Sequence, residues 1–165
     1  MKIRQYDNVT IHFDSAESEA VKIALVSLRR DLIRTLNCNV NISAAVSQHR
    51  IVVGTAGVSA EIGEKADLSL LADEKGTLRK EAYLIQVRND ELLIAGSDRR
   101  GTIYGIYEFC EMLGVSPWYF FADVPVRTRE EIELEEGFQK SDYPCVEYRG
   151  IFITDEEELE HWVWR

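Results

Sequence analysis

Positive charge is in short supply in this chain, cysteine is rarer still, and no long unbroken apolar run occurs. Nineteen Lys and Arg face 29 Asp and Glu, a formal net charge of −10 over 165 residues. Nucleic-acid backbones are held by clustered Lys and Arg, so this balance argues against such a partner. Small anionic ligands stay open, because they need only a local positive spot. Nothing approaches the roughly 20 consecutive apolar residues of a membrane span, so no membrane partner is expected. The first ten residues lack the apolar stretch of a signal peptide. The three cysteines, Cys38, Cys110 and Cys145, cannot all pair, and two lie in or beside apolar runs. They read as buried thiols of a reducing compartment, which makes the cytoplasm the expected location, with export open if the N-terminus is incomplete.

Some motifs are missing as well. Gly96-Ser97-Asp98-Arg99-Arg100-Gly101 lacks the spacing of a dinucleotide fingerprint, and no Gly-Lys-Ser/Thr follows it as in a P-loop. Residues 155–158 are acidic but lack the alternating ligands and turn glycine of a calcium loop, so no metal and no cofactor are expected. There is no internal repeat and no low-complexity tract.

What is present centres on residues 94–121. The apolar run Leu92-Leu93-Ile94-Ala95 reads as a strand, Gly96-Ser97-Asp98 as a turn, and Asp98 as the N-cap of a helix. Ile103, Ile106, Tyr107, Cys110 and Leu113 recur at helical spacing, Gly114 supplies a C-terminal stop, and Ser116-Pro117 prevents a restart. The turn could hold an anion between helix-start amides and two guanidiniums, or be a tight turn with two exposed arginines.

Upstream, Val9, Ile11 and Phe13 alternate as a strand whose other face carries His12, a solvated or hydrogen-bonded residue. Ser15 with Ser18 and Glu19 marks a helix start, and the apolar stripe Val21, Leu25, Leu28, Leu32 and Leu36 follows, ended by Asn37. Arg29, Arg30 and Arg34 fall where the helix dipole favours cations and read as solvated. Short strands are expected at 38–42 and 51–55, and a helical turn near 58–62. Residues 64–80 read as a surface excursion with one helical turn at most. Residues 82–88 and 91–95 form two strands joined by Asn89-Asp90, a hairpin signal.

Leu92–Ala95 is apolar on both faces, so this strand belongs mid-sheet with cover on both sides. Two long helices cover one face. No third long helix exists for the other, so that face is expected to be open. Downstream, Trp118, Tyr119, Phe120 and Phe121 suit a core or a domain seam, and Ile132 and Leu134 mark a charged edge strand. Residues 139–144 have linker composition, and 146–153 begin another strand ending at Thr154-Asp155-Glu156. The expected organisation is an N-terminal α/β domain over 1–142, then a linker and first strand over 143–165.

Three separated motifs resemble the N-terminal domain of family 115 glycoside hydrolases, xylan α-glucuronidases. They run from Ala95 through Gly101-Thr102-Ile103-Tyr104-Gly105-Ile106 to Tyr107, then Gly114-Val115-Ser116-Pro117-Trp118-Tyr119, then Ala122-Asp123-Val124-Pro125-Val126. Tyr148-Arg149-Gly150-Ile151-Phe152-Ile153, with Thr154-Asp155-Glu156 after it, resembles that family's junction into its catalytic barrel, except that Thr154 stands where Asn is expected. The resemblance implies an α+β fold: a mixed sheet with two main helices on one face, like the second domain of hexosaminidases. The tail would then be the first strand of a missing (β/α) barrel.

It further implies an accessory domain of an inverting enzyme that removes (4-O-methyl)glucuronic acid from xylan. Such a domain would be inactive alone, its partners being the missing barrel and, through it, glucuronoxylan. No complete catalytic set lies in the chain. Asp155 and Glu156 are the first candidates for touching the sugar, and Arg99 and Arg100 follow as possible guanidinium partners of the uronate. The competing expectation is a non-enzymatic interaction or carbohydrate-binding module that uses the open sheet face and the 118–121 aromatics.

Overall fold

The computed structural model describes residues 1–43, 49–119 and 122–150. Its frame is a six-stranded mixed sheet. Strands β2 (Asn8–Phe13), β3 (Asn39–Ile42), β4 (His49–Thr55) and β6 (Glu91–Gly96) are parallel, in the order β3-β2-β4-β6. Strand β5 (Tyr83–Arg88) pairs antiparallel with β6, and β8 (Gln139–Asp142) pairs antiparallel with β5 at the edge. The β5–β6 link is a two-residue turn with both centres left-handed, Asn89 at φ 53 and Asp90 at φ 61. That geometry matches the twist of the strands it joins, and Asn and Asp tolerate it. A separate ribbon pairs β1 (Lys2–Arg4) with β7 (Glu131–Glu133) and buries Ile3 and Ile132.

Helix α1 (Glu19–Leu36) is capped by the Ser18 hydroxyl, which accepts from the Val21 amide, and it stops at Asn37, left-handed at φ 51. Its stripe Val21, Leu25, Leu28, Leu32 and Leu36 is wholly buried. Helix α3 (Arg99–Met112) lies beside it, and together they cover the sheet face formed by Ile51, Val53, Ile85, Val87, Leu92 and Ile94. Helix α3 approaches the sheet unusually closely. A Cβ on Gly101 would sit 2.1 Å from the Ala82 carbonyl oxygen, and one on Gly96 2.0 Å from the Thr102 amide nitrogen. Only a residue without a side chain permits either approach.

The opposite face is not open, which corrects the expectation from the sequence. Val52, Leu84, Leu93 and Ala95 point there and are buried under Ile62 of α2 (Ala60–Lys65), Leu71 of a 3-10 turn (Leu68–Leu71), Ala66 and Ala82. Cover comes from two short elements in place of one long helix. Six- and four-residue elements are too brief to show a helical period, so residues 64–80 look irregular in sequence although they close a core. A module that works through an exposed sheet face is therefore ruled out. Residues 139–142, expected as linker, instead form the edge strand β8. The strand expected from 146 is absent over 146–150, and its remainder lies outside the described residues, as do Phe120 and Phe121. No helix among the described residues is long and apolar enough to cross a membrane.

Candidate functional site

In open sheets of this kind ligands collect beyond the carboxyl ends of the parallel strands, where the chain direction switches. Here that crevice lies beyond Phe13, Thr55 and Gly96, and Glu17 fills it. Glu17 is 4% exposed. One carboxylate oxygen accepts from the Thr55 amide at 2.6 Å and the other from the Thr55 hydroxyl at 2.9 Å. The Thr55 hydroxyl in turn meets Thr102 Oγ1 at 2.8 Å. These are internal bonds that satisfy buried groups.

The turn before α3 is also occupied from within. One Asp98 oxygen accepts from the amides of Arg100 and Gly101, both at 2.9 Å, and the other from the Glu81 amide at 2.8 Å. The Ser97 hydroxyl accepts from the Ala82 amide at 3.0 Å. A carboxylate of the chain thus sits where an anion would bind, so the anion-holding reading of residues 96–101 is not supported.

Arg99 and Arg100 are both exposed at the start of α3 and line a shallow depression of 430 Å³ with Lys80, Asp98 and Glu147. Arg100 is engaged: Nη1 lies 3.1 Å from Glu81, and Nη2 donates to the Tyr104 hydroxyl at 3.0 Å. Glu81 is the centre of this group. It is buried, holds a left-handed φ of 59, and also receives the Arg149 guanidinium, which donates to Tyr104 at 3.0 Å as well. Lys80 pairs with Glu147 at 2.8 Å, so residues 143–150 are tied back onto the turn before β5 at two points. Asp155 and Glu156, the first candidates from the sequence, lie outside the described residues.

One further concavity was not singled out in the sequence. A cleft of 760 Å³ runs along α3 between α1, β5 and the 143–150 segment. Tyr83, Tyr104, Tyr107, Tyr119 and Tyr143 wall it, together with five carboxylates and two guanidiniums. Asp31, 2% exposed, accepts from Arg30 Nε at 3.2 Å, and the Arg30 guanidinium lies over the Tyr119 ring at 5.8 Å. Arg30, expected to be a solvated cation, is thus a wall of this cleft, and Arg29 bonds the Val40 carbonyl at 3.1 Å. Tyr83 donates to Glu108 at 3.0 Å, and burial together with that carboxylate raises the phenol well above its ordinary value. Burial likewise pushes the Cys110 thiol up, with Asp31 adding to the effect. Cys38 is pushed up to about 11, mainly by burial and then by Asp7. Neither thiol is suited to act as a thiolate. Tyrosines scattered over 83–143 carry no shared spacing, so only the fold could bring them together.

Elsewhere, Arg50 bridges Glu91 at 2.9 Å and Glu61 at 2.7 Å, while Lys65 meets Glu61 at 2.9 Å and also pairs with Glu91. His12 Nε2 lies 2.9 Å from Glu61, a hydrogen-bonded strand histidine as expected. Burial works to raise the Glu61 pKa, but Lys65, Arg50 and His12 outweigh it and hold the carboxyl below its usual range. Among the described residues no group of three or more His, Cys, Asp or Glu is placed to hold a metal.

Comparison with known proteins places this architecture. Residues 4–109 match the family model described as the N-terminus of glycosyl hydrolase family 67. Among solved structures, a family GH115 4-O-methyl-α-glucuronidase with specificity for decorated arabinogalactans is similar over 92% of this chain, at 36% identity and a TM-score of 0.82. The chain spans 19% of that protein's length. The protein CpGH84D is similar over 71% of this chain and 19% of its own, at 15% identity and a TM-score of 0.50, a likeness of fold alone.

Proposed function

We propose this chain's role from its family: it belongs to the glycosyl hydrolase family 67 N-terminus family, and it acts as the accessory N-terminal domain of a family 115 α-glucuronidase. The observation that carries the proposal is the likeness to a GH115 glucuronidase across 92% of the chain. The interior supports an accessory role. The crevice of the sheet holds Glu17, the start of α3 holds Asp98, and both sheet faces are covered.

The parent chemistry is hydrolysis with inversion, removing (4-O-methyl)glucuronic acid from xylan. It needs one carboxylic acid to protonate the leaving oxygen and one carboxylate to activate water, about 6.5–9.5 Å apart. Residues 1–142 form the domain, which closes with β8 at Asp142, and 143–165 lead into a catalytic (β/α) barrel in the longer polypeptide. Asp155 and Glu156 contribute to the sugar site from past the first barrel strand. Arg99 is a lesser contributor, and Arg100 lesser still, because Glu81 and Tyr104 already hold its guanidinium.

The test is release of 4-O-methylglucuronic acid. The 165-residue chain should release none from glucuronoxylan or decorated arabinogalactan. The same chain mixed with a separately produced barrel should raise that barrel's activity on one of them. A barrel equally active and equally stable without the chain would end the proposal.

A further inference from the structure

The two partners in the sheet's crevice are held very differently. Thr55 ends β4 and is fixed from several sides. Its register partner is Gly96 of β6, its carbonyl accepts from the amides of Val58 and Ser59, both at 3.0 Å, and its hydroxyl meets Thr102 Oγ1 at 2.8 Å. Packing beside it is tight: a Cβ on Gly54 would lie 2.5 Å from Ser59 Cβ. Glu17 comes instead from the turn between β2 and α1. That turn is closed by its own bonds, with Asp14 accepting from the Ala16 amide at 2.9 Å and from the Glu17 amide at 3.0 Å. Neither bond uses the Glu17 side chain, so the turn keeps its shape if that side chain is removed.

A planar group with two oxygens is what this arrangement fits. The Thr55 amide reaches one oxygen at 2.6 Å and the Thr55 hydroxyl reaches the other at 2.9 Å, so one residue grips both ends of the carboxylate. Donors fixed in advance lose little freedom on binding, which favours a small ligand. Glu17 is 4% exposed, and donors at that depth need an acceptor. We propose that the crevice is a carboxylate-binding site with Glu17 as its resident ligand, and that a free monocarboxylate takes its place when that side chain is withdrawn. Size follows from the atoms removed. Glu17→Ala takes away a methylene and a carboxylate, the outline of acetate. Glu17→Gly takes away one carbon more, the outline of propionate. The site stands apart from the accessory-domain reading and does not depend on it.

The experiment is urea unfolding of the 165-residue chain and these two variants in the sodium salts of acetate, propionate, glucuronate and chloride at matched ionic strength. Acetate should stabilise Glu17→Ala, the unfolding constant falling about tenfold for each tenfold of acetate once the site fills. Wild type should stay where chloride leaves it, and Glu17→Gly should prefer propionate. Thr55→Val in the Glu17→Ala chain should weaken acetate about tenfold, the scale of one hydrogen bond to a charged group. Should either single variant be unfolded in chloride, its own acid should restore the far-UV circular dichroism of wild type. No gain over chloride in either single variant overturns the proposal, since water then fills the vacated space. An equal gain in wild type, or one untouched by Thr55→Val, overturns it too, because acetate then acts elsewhere. So does a gain from glucuronate equal to that from acetate, because a fitted pocket excludes the sugar ring.

Discussion

Glu17 illustrates how a single side chain decides what a crevice can do. Its carboxylate takes the amide and the hydroxyl of Thr55, while Thr102 completes the group. Truncation to alanine would leave a buried backbone donor without an acceptor, at a cost of about 1–3 kcal/mol. Glu17→Ala should therefore lower the urea midpoint with no change in slope, and an unaltered midpoint would show that water replaces the carboxylate without loss. In the sequence Glu17 is one of many acidic residues between a strand and a helix. Nothing marked it as buried, because its partners lie 38 positions away at Thr55. Asp98 was readable for the opposite reason: its amide partners are two and three residues on, within a local motif.

At the scale of elements, local signals fared best. The Ser18 and Asp98 caps, the Asn37 stop and the Asn89-Asp90 hairpin all use bonds or backbone angles confined to a few residues, and each is found where expected. The cover of the second face was lost because it depends on Ile62, Leu68 and Leu71 acting together across a gap. Leu71→Ala tests how much that cover matters. A buried leucine truncated without collapse costs about 2–5 kcal/mol, so thermal unfolding should shift down clearly, whereas a loss under about 0.5 kcal/mol would mean that the 3-10 turn merely rests on the sheet. The ion cluster joining β4, α2 and β6 sets an acid limit. Glu61 titrates below its unfolded value, so its contribution is fully present above that value, near 4.5, and fades as pH falls through the lower folded one. Wild type should lose stability across that interval, and Glu61→Gln should flatten the pH dependence there. An unchanged slope in the variant would assign the acid sensitivity to other carboxylates.

For the whole molecule, the path of the chain after β8 matters most. Residues 143–150 are pinned by Arg149 to the buried Glu81 and by Glu147 to Lys80, with Tyr143 lying against Arg79 at 4.8 Å. The resemblance in sequence pointed to Tyr148-Arg149-Gly150 as a junction, yet gave no hint that Arg149 grips Glu81. That contact spans 68 positions and relies on the left-handed turn at Glu81. The chain therefore reaches Gly150 on a fixed bearing, as on a bracket bolted to a wall. Cys145, expected from the sequence to be buried, is exposed, so a dye placed there should rotate with the body of the protein and give high fluorescence anisotropy, and Glu81→Gln should let it swing independently. Low anisotropy in the unaltered chain would show that the mount is loose. A fixed mount means that the direction in which the backbone reaches Gly150 is decided by Glu81 and Lys80 in the body of the domain, and not by the segment that carries it.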